Sequence, residues 1–211
     1  MASCMDISMQ GNLDKLYHVF VFFKKKHNSE IVFDATDPDV GDAQFAKEYW
    51  NEAVYGKCHE DIPPYAPQCR GFGFKMRAFV DDDHVGDYVT RLSRTGLTIY
   101  LNISPIYWTS KNQTSFETSS FASEFIEMKN FQKYIRGIWY KLRMMGIPCD
   151  LPAHVYGNNQ SVLVNSSKPF PMPKKKSSLI AYHFVRGGVA KYEWQVTYIS
   201  THDNVADILT K

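Results

Sequence analysis

F-K-M-R-A-F-V-D-D-D-H-V-G-D, residues 74 to 87, is the stretch on which the reading of this chain turns. Phe74, Met76, Ala78 and Val80 alternate with Lys75, Arg77, Phe79 and Asp81. Side chains along a β-strand point to opposite faces in turn, so this period of two predicts a strand that ends at Asp81. The Asp81 carboxylate then points away from the Val80 face. Leu97 to Ile103 and Pro105 to Lys111 are two further strand candidates, and the polar residues between them favour antiparallel hairpins.

A long helix follows. Phe121, Phe125, Met128, Phe131, Ile135, Ile138, Leu142 and Met145 step by three or four residues, until Gly146 and Pro148 stop the pattern. Ala153 to Gly157 reads as a short strand. Ser177 to Lys191 reads as a helix, stopped or interrupted at Gly187-Gly188. Trp194 to Ser200 is the last strand, and Asn204 to Lys211 a final helical turn or two. Three strands, a helix, a strand, a helix, a strand and a helix predict an α/β domain built on a mixed sheet.

Towards the start, Leu13, Leu16, Tyr17 and Phe20 share one face of a predicted helix over 13–28, and E-I-V-F at 30–33 is a short strand candidate. From Asp34 to Arg70 the pattern decays among Pro38, Pro63, Pro64, Pro67 and scattered acids. So long a loop is uncommon inside a compact domain, which places a boundary near residue 70.

The bulk numbers set limits. The 211 residues are 44% hydrophobic and 22% charged, with a formal net charge of +2. That is an ordinary globular composition with no global basic field, so nucleic acid would have to bind at local basic stripes. No secretory segment or membrane-spanning run is visible, and the chain reads as intracellular, with no membrane partner. Cys4, Cys58, Cys69 and Cys149 form no C-x-x-C pair and are expected as reduced thiols. N-I-S, N-Q-T, N-Q-S and N-S-S read as chance matches to a glycosylation pattern.

Three acids at element ends carry chemistry. Glu124 falls in the apolar stripe of the long helix, where a carboxylate is costly unless something pairs with it. The helix N-terminus and a bound cation are the two available partners. Asp81 ends a strand, and Asp207 lies in A-D-I-L beside apolar residues. Acids far apart in sequence but gathered at element ends suit a two-metal hydrolase. Two divalent ions about 4 Å apart activate water and stabilise the leaving oxygen of a phosphodiester.

Four segments in fixed order extend this pattern: V-D-D-D-H-V-G-D at 80–87, S-S-F-A-S-E-F at 119–125, V-Y-G-N-N-Q-S-V at 155–162 and T-H-D-N-V-A-D-I-L-T-K at 201–211. Together they resemble the ribonuclease H domain of copia-type LTR retrotransposon Pol polyproteins, and W-T-S-K-N-Q-T, A-Y-H-F-V-R and A-D-I-L-T-K fall in register as well. The resemblance covers residues 72 to 211. It implies a ribonuclease H-like fold, with a central five-stranded mixed sheet flanked by helices and an N-terminal helical extension. It further implies Mg-dependent hydrolysis of RNA in an RNA–DNA hybrid, with two ions held by Asp81, Glu124, position 158 and Asp207. Asp81 would bridge both ions, Glu124 and position 158 would hold one, and Asp207 the other. His202 resembles the family's mobile histidine. L-Y-H-V-F-V-F-F-K-K-K-H-N resembles the last helix of the reverse transcriptase that precedes ribonuclease H, so residues 1–70 read as its remnant and connection, and 71–211 as the ribonuclease H-like domain. Reverse transcriptase would then be supplied in trans. F-V-D-D at 79–82 is also similar to a polymerase palm motif, but the H-V-G-D that follows it is not, and the other polymerase segments are absent.

The chain departs from its family at Asn158, where the resemblance implies aspartate. An amide brings no charge to a metal site. Glu127 replaces a small residue one turn after Glu124. These departures leave a second reading open: a non-catalytic nucleic-acid-binding or inert scaffold from a decayed or domesticated element. Lys111 in W-T-S-K, the helix residues Lys129, Lys133 and Arg136, and Lys174, Lys175 and Lys176 are candidate phosphate contacts for a hybrid. His183 reads as structural, and Trp108, Trp139 and Trp194 as core or boundary aromatics.

Overall fold

The computed structural model describes residues 10–28, 30–39, 50, 55, 63–83, 93–113, 120–149, 152–169 and 179–210, with the side chains at 10–12, 15 and 120–124 excepted. Contacts divide the chain into two units, Met1–Phe33 and Asp34–Lys211. In the first, α1 (Gln10–Lys25) ends on Lys24 and Lys25, which complement the negative end of its dipole. Leu13, Leu16, Tyr17 and Phe20 are exposed, as are Val21, Phe22 and Phe23. The strand expected at 30–33 does not form. Among the described residues Ile31 and Val32 meet no ladder partner, and propensity without a partner makes no strand.

The second unit is built on a five-stranded sheet in the order β3-β2-β1-β4-β5. β1 (Met76–Asp83) pairs antiparallel with β2 (Arg94–Leu101), which pairs antiparallel with β3 (Ser104–Asn112). On its other side β1 pairs parallel with β4 (Ala153–Gly157), and β4 parallel with β5 (Trp194–Tyr198). The strand carrying Asp81 is therefore the centre of a mixed sheet, in the element order of a ribonuclease H fold.

One face of the sheet packs on α2 (Ser120–Met144). Met76, Ala78, Val80, Leu97, Ile99, Ala153, Val155 and Trp194 bury against Phe131, Ile135, Trp139 and Leu142. The helix stops as its sequence requires. Gly146 takes φ +73°, Gly146 N–H donates to Arg143 O, and Ile147 N–H donates back to Leu142 O. Those two bonds are the paired closure of a glycine C-cap. Met145, placed in the apolar stripe by spacing, is exposed because it lies beyond the last helical turn.

The structure differs from the expectations in four further places. A helix, α3 (Gln160–Ser167), follows β4 where no element was expected, and Asn159 caps it by accepting from Ser161 N and Val162 N. Gly187-Gly188 does not interrupt α4 (Leu179–Ala190). Gly188 serves packing instead: a Cβ there would lie 1.6 Å from Trp194 Cζ2, so the indole rests on the bare backbone. Trp194 is fully buried, but Trp108 on edge strand β3 is 53% exposed. His183 faces outward on α4, in ring contact with Tyr55 and Tyr182.

Residues 34 to 37 are tied to the turn between β2 and β3. Asn102 takes φ +54°, accepts from Lys75 N and donates to Ala35 O. Ser104 Oγ donates to Asp34 O, and Lys75 pairs with Asp37 at 3.0 Å. Asn102 heads the N-I-S match, and its amide is buried and committed to these bonds. Among the described residues, Cys69 and Cys149 stand outside any disulfide.

Candidate carboxylate centre

Strand register assembles the centre. β1 and β4 run in parallel at an offset of 77 positions: Arg77 with His154, Ala78 with Val155, Phe79 with Tyr156. Two positions further along, the same offset brings Asn158 beside Asp81, and the Asn158 Nδ2 donates to Asp81 Oδ1 at 2.7 Å. On the antiparallel side Asp81 faces Gly96, and Gly96 faces Ser110. One row across the sheet thus reads Ser110, Gly96, Asp81, Asn158.

The chain after β5 lies on this row. A 3-10 helix at Val205–Leu209 begins at Asn204, whose side chain accepts from Ala206 N and donates to Val80 O. Ser110 Oγ donates to Leu209 O at 2.6 Å. Thr210 Oγ1 donates to Asp81 Oδ2 at 2.5 Å, and it also lies 3.0 Å from the Asp207 carbonyl. Gly96 makes the approach possible, because a Cβ there would meet Ala206 O at 2.6 Å and Leu209 Cβ and Thr210 Cγ2 at 3.0 Å. Asp81 is consequently 5% exposed although it lies on the face opposite Val80.

The structure brings Asp81, Asn158 and the backbone of Asp207 together at one end of the central strands. Glu124 lies in the first turns of α2, and its side chain is outside the described residues. His202 is exposed in the turn before Asn204. Asn204, Thr210 and Gly96 are the residues of this centre that the sequence reading missed.

Hydrogen-bond chemistry limits what the centre can hold. Ionised Asp81 only accepts, so Asn158 can approach it only through its N–H₂, with its carbonyl turned elsewhere. Each carboxylate oxygen accepts a hydrogen bond, Oδ1 from Asn158 Nδ2 and Oδ2 from Thr210 Oγ1. Among the described residues no three His, Cys, Asp or Glu side chains are grouped as metal ligands. Bonded to each other as they are, Asp81 and Asn158 do not by themselves fit a metal pair held between them.

A second carboxylate lies close by. Glu127, 1% exposed on α2, accepts from Gln113 Nε2 at 2.6 Å, and the same Nε2 reaches Asp82 Oδ1 at 3.4 Å. Gln113, just past β3, thus links the helix carboxylate to the residue next to Asp81. This contact too is invisible in the linear sequence.

The basic residues divide into two groups. Lys111 and Lys133 converge on Tyr134, whose hydroxyl is held below its ordinary pKa first by a hydrogen bond with Tyr107 and then by the two ammonium groups. Lys129 is one helical turn from Lys133. Arg136 turns the other way: it pairs with Glu193 at 2.7 Å and stacks on Phe184 and Trp194. Lys174, Lys175 and Lys176 lie outside the described residues. No described helix is long and apolar enough to cross a membrane.

Comparison with known proteins adds a lineage. No family model matches the chain. It is 32% identical over 142 residues to the retrovirus-related Pol polyprotein from transposon RE1 of Arabidopsis thaliana, and 31% identical over 142 to that from RE2 of the same plant. The Pol polyprotein from transposon TNT 1-94 of Nicotiana tabacum is 29% identical over 137 residues. These matches cover 67%, 67% and 64% of this chain but 10% of each relative, so the chain spans about a tenth of the length of the curated relatives it matches. Among solved structures, RNase H1 from Halobacterium salinarum aligns with a TM-score of 0.49 at 11% identity, covering 64% of this chain and 93% of that one. An N-terminal RNase H domain from Mycobacterium tuberculosis aligns with a TM-score of 0.45 at 13% identity, covering 65% and 91%.

Proposed function

This chain belongs to the copia-type retrotransposon Pol polyproteins as a ribonuclease H-like domain, and from that premise we propose that its ancestral reaction is metal-dependent hydrolysis of RNA in RNA–DNA hybrids, now impaired by Asn158. The observation that carries the proposal is the meeting of Asp81, Asn158 and the Asp207 segment on one row of the sheet. An apolar row would be cheaper to bury than this polar one, which supports an origin in chemistry. Glu124 is the fourth member by its place on α2, and His202 belongs to the exposed rim. Lys111, Lys129 and Lys133 form the surface offered to the hybrid backbone, with Lys174, Lys175 and Lys176 as further contacts. Arg136 contributes less, because its guanidinium is already paired. Residues 1–70 are the end of a reverse transcriptase and its connection, and 71–211 the hydrolase domain. Polymerase activity would then come from reverse transcriptase in trans.

A second reading, a nucleic-acid-binding scaffold without chemistry, is favoured by the amide bonded to Asp81. One experiment separates the two. Cleavage of a labelled RNA–DNA hybrid with Mg is measured for wild type, Asn158→Asp, and Asn158→Asp combined with Asp81→Asn. The expected result is that Asn158→Asp raises the rate at least ~10²-fold and that the added Asp81→Asn abolishes the gain. Wild type cutting as fast as Asn158→Asp would show that Asn158 is no lesion. An inert Asn158→Asp protein would support the scaffold.

A further inference from the structure

We propose that the Asn158 amide stands in for a cation, closing the carboxylate centre by hydrogen bonds, so that this chain is held together at Asp81 without metal and takes no Mg there. The inference rests on reading Asp81 and position 158 as an ancestral metal-binding pair, and it goes beyond that reading in assigning Asn158 a positive structural role.

The geometry supplies the argument. At 2.7 Å from Asp81, a second carboxylate would set two negative charges in hydrogen-bond contact at the end of a buried strand. Such a pair persists only with a positive charge between the oxygens, or a shared proton. The amide removes the need for either. It has nearly the shape of aspartate, brings no charge, and presents two N–H donors where aspartate would present an acceptor. Thr210 completes the exchange from the other side by donating to Asp81 Oδ2. The side chain of Asp81 thereby gains at both oxygens a hydrogen bond in the place where ions would otherwise bind. Three segments far apart in sequence are tied by these bonds: the end of β1, the junction of β4 with α3, and the segment after the 3-10 helix.

Neighbouring asparagines share the work at that junction. Asn159 spends its side-chain oxygen on the first N–H groups of α3, which fixes the backbone at 159 and leaves Asn158 as the residue that reaches across to β1. The amide at 158 therefore does not cap the helix, and its bond to Asp81 is the contact that a substitution would remove.

The test compares thermal unfolding of the whole chain in chelator and in Mg or Mn, together with Mn titration followed by electron paramagnetic resonance. Wild type is expected to melt at the same temperature in all three conditions and to leave added Mn free. Asn158→Asp is expected to melt roughly 5–10 °C lower in chelator, since a charged hydrogen bond is exchanged for a repulsion. Mg or Mn should restore most of that loss and Mn should become bound. Metal that binds and stabilises wild type, with the effect lost in Asp81→Asn, would overturn the proposal while leaving the ribonuclease H lineage intact. So would an Asn158→Asp protein that melts in chelator at or above wild type. A loss in Asn158→Asp that no metal restores would refute the exchange of amide for cation. The wild-type Mn titration requires no variant, so the proposal can fail even if Asn158→Asp does not fold.

Discussion

Replacing Gly96 with alanine should push the C-terminal 3-10 helix off the sheet, and the size of the effect can be worked from three distances. No strained dihedral is involved, so the cost is one of space. The new Cβ would stand 2.6 Å from the Ala206 carbonyl oxygen, 3.0 Å from Leu209 Cβ and 3.0 Å from Thr210 Cγ2. Carbon and carbonyl oxygen rest at about 3.3 Å or more, so the segment must retreat by roughly 0.7 Å. A retreat of that size stretches the Thr210–Asp81 bond from 2.5 Å to about 3.2 Å, outside the ordinary range for hydroxyl donors. Holding the segment in place costs ~1–3 kcal/mol of overpacking, and releasing it costs ~1.5–3 kcal/mol for a hydrogen bond to a charged group. The protein takes the cheaper course. Alanine returns ~0.5–1 kcal/mol over glycine within a strand. The net loss is about 1–2 kcal/mol, or ~2–8 °C in Tm for a chain of this size. Urea unfolding followed by the fluorescence of buried Trp194 measures it. Thr210→Val provides the control, because its own cost should shrink by at least ~1 kcal/mol when Gly96→Ala is already present. A Gly96→Ala protein within ~0.5 kcal/mol of wild type, or strict additivity of the two changes, would refute the reasoning.

Gly188→Ala should be worse, at more than ~3 kcal/mol, because the clash is with the Trp194 ring itself; a melt near that of wild type would mean the ring can move aside. Asn159→Ala should cost ~1 kcal/mol through the lost cap of α3, and hydrogen exchange should quicken at Ser161 and Val162 without change at Asp81. Lys111→Ala and Lys133→Ala should each lower the salt slope of hybrid binding by about 1, read by fluorescence anisotropy at several salt concentrations. Arg136→Ala should leave that slope nearly unchanged but lower stability, since it breaks the pair with Glu193; the opposite pattern would return Arg136 to the binding surface.

Much of the fold was legible because it rests on local periodicity. The alternation from Phe74 to Asp81 gave the central strand, and the three-four spacing from Phe121 gave the long helix, since each pattern records which side of an element meets the core. Asp81, Asn158 and Asp207 were legible as candidates because their segments match a family in order. α3 was not legible: in Q-S-V-L-V-N-S-S the apolar residues are adjacent rather than spaced, and its cap is the only strong signal. Nor were the bonds of Gln113 to Glu127 or Asn204 to Val80, which join residues that nothing local relates. Gly96 did carry a signal, as an isolated glycine inside a strand pattern often marks a close backbone approach. Arg136 misled because a helix face shows where a cation points only when its neighbours from other elements are known.

The position of Asp81 on the central strand has a consequence for the order in which the chain folds. Its antiparallel neighbour β2, and β3 beyond it, come from the adjacent stretch of chain and can pair as a meander without waiting for anything else. Its parallel neighbour β4 must be delivered by the crossover through α2, and its last partner arrives later still. Asn158 is 77 positions from Asp81 and Thr210 is 129. Closing long loops is slow, because their entropy is spent before any contact rewards it. Asp81 therefore stands on a seam between an early half-sheet and a late one, open to water until the late half docks.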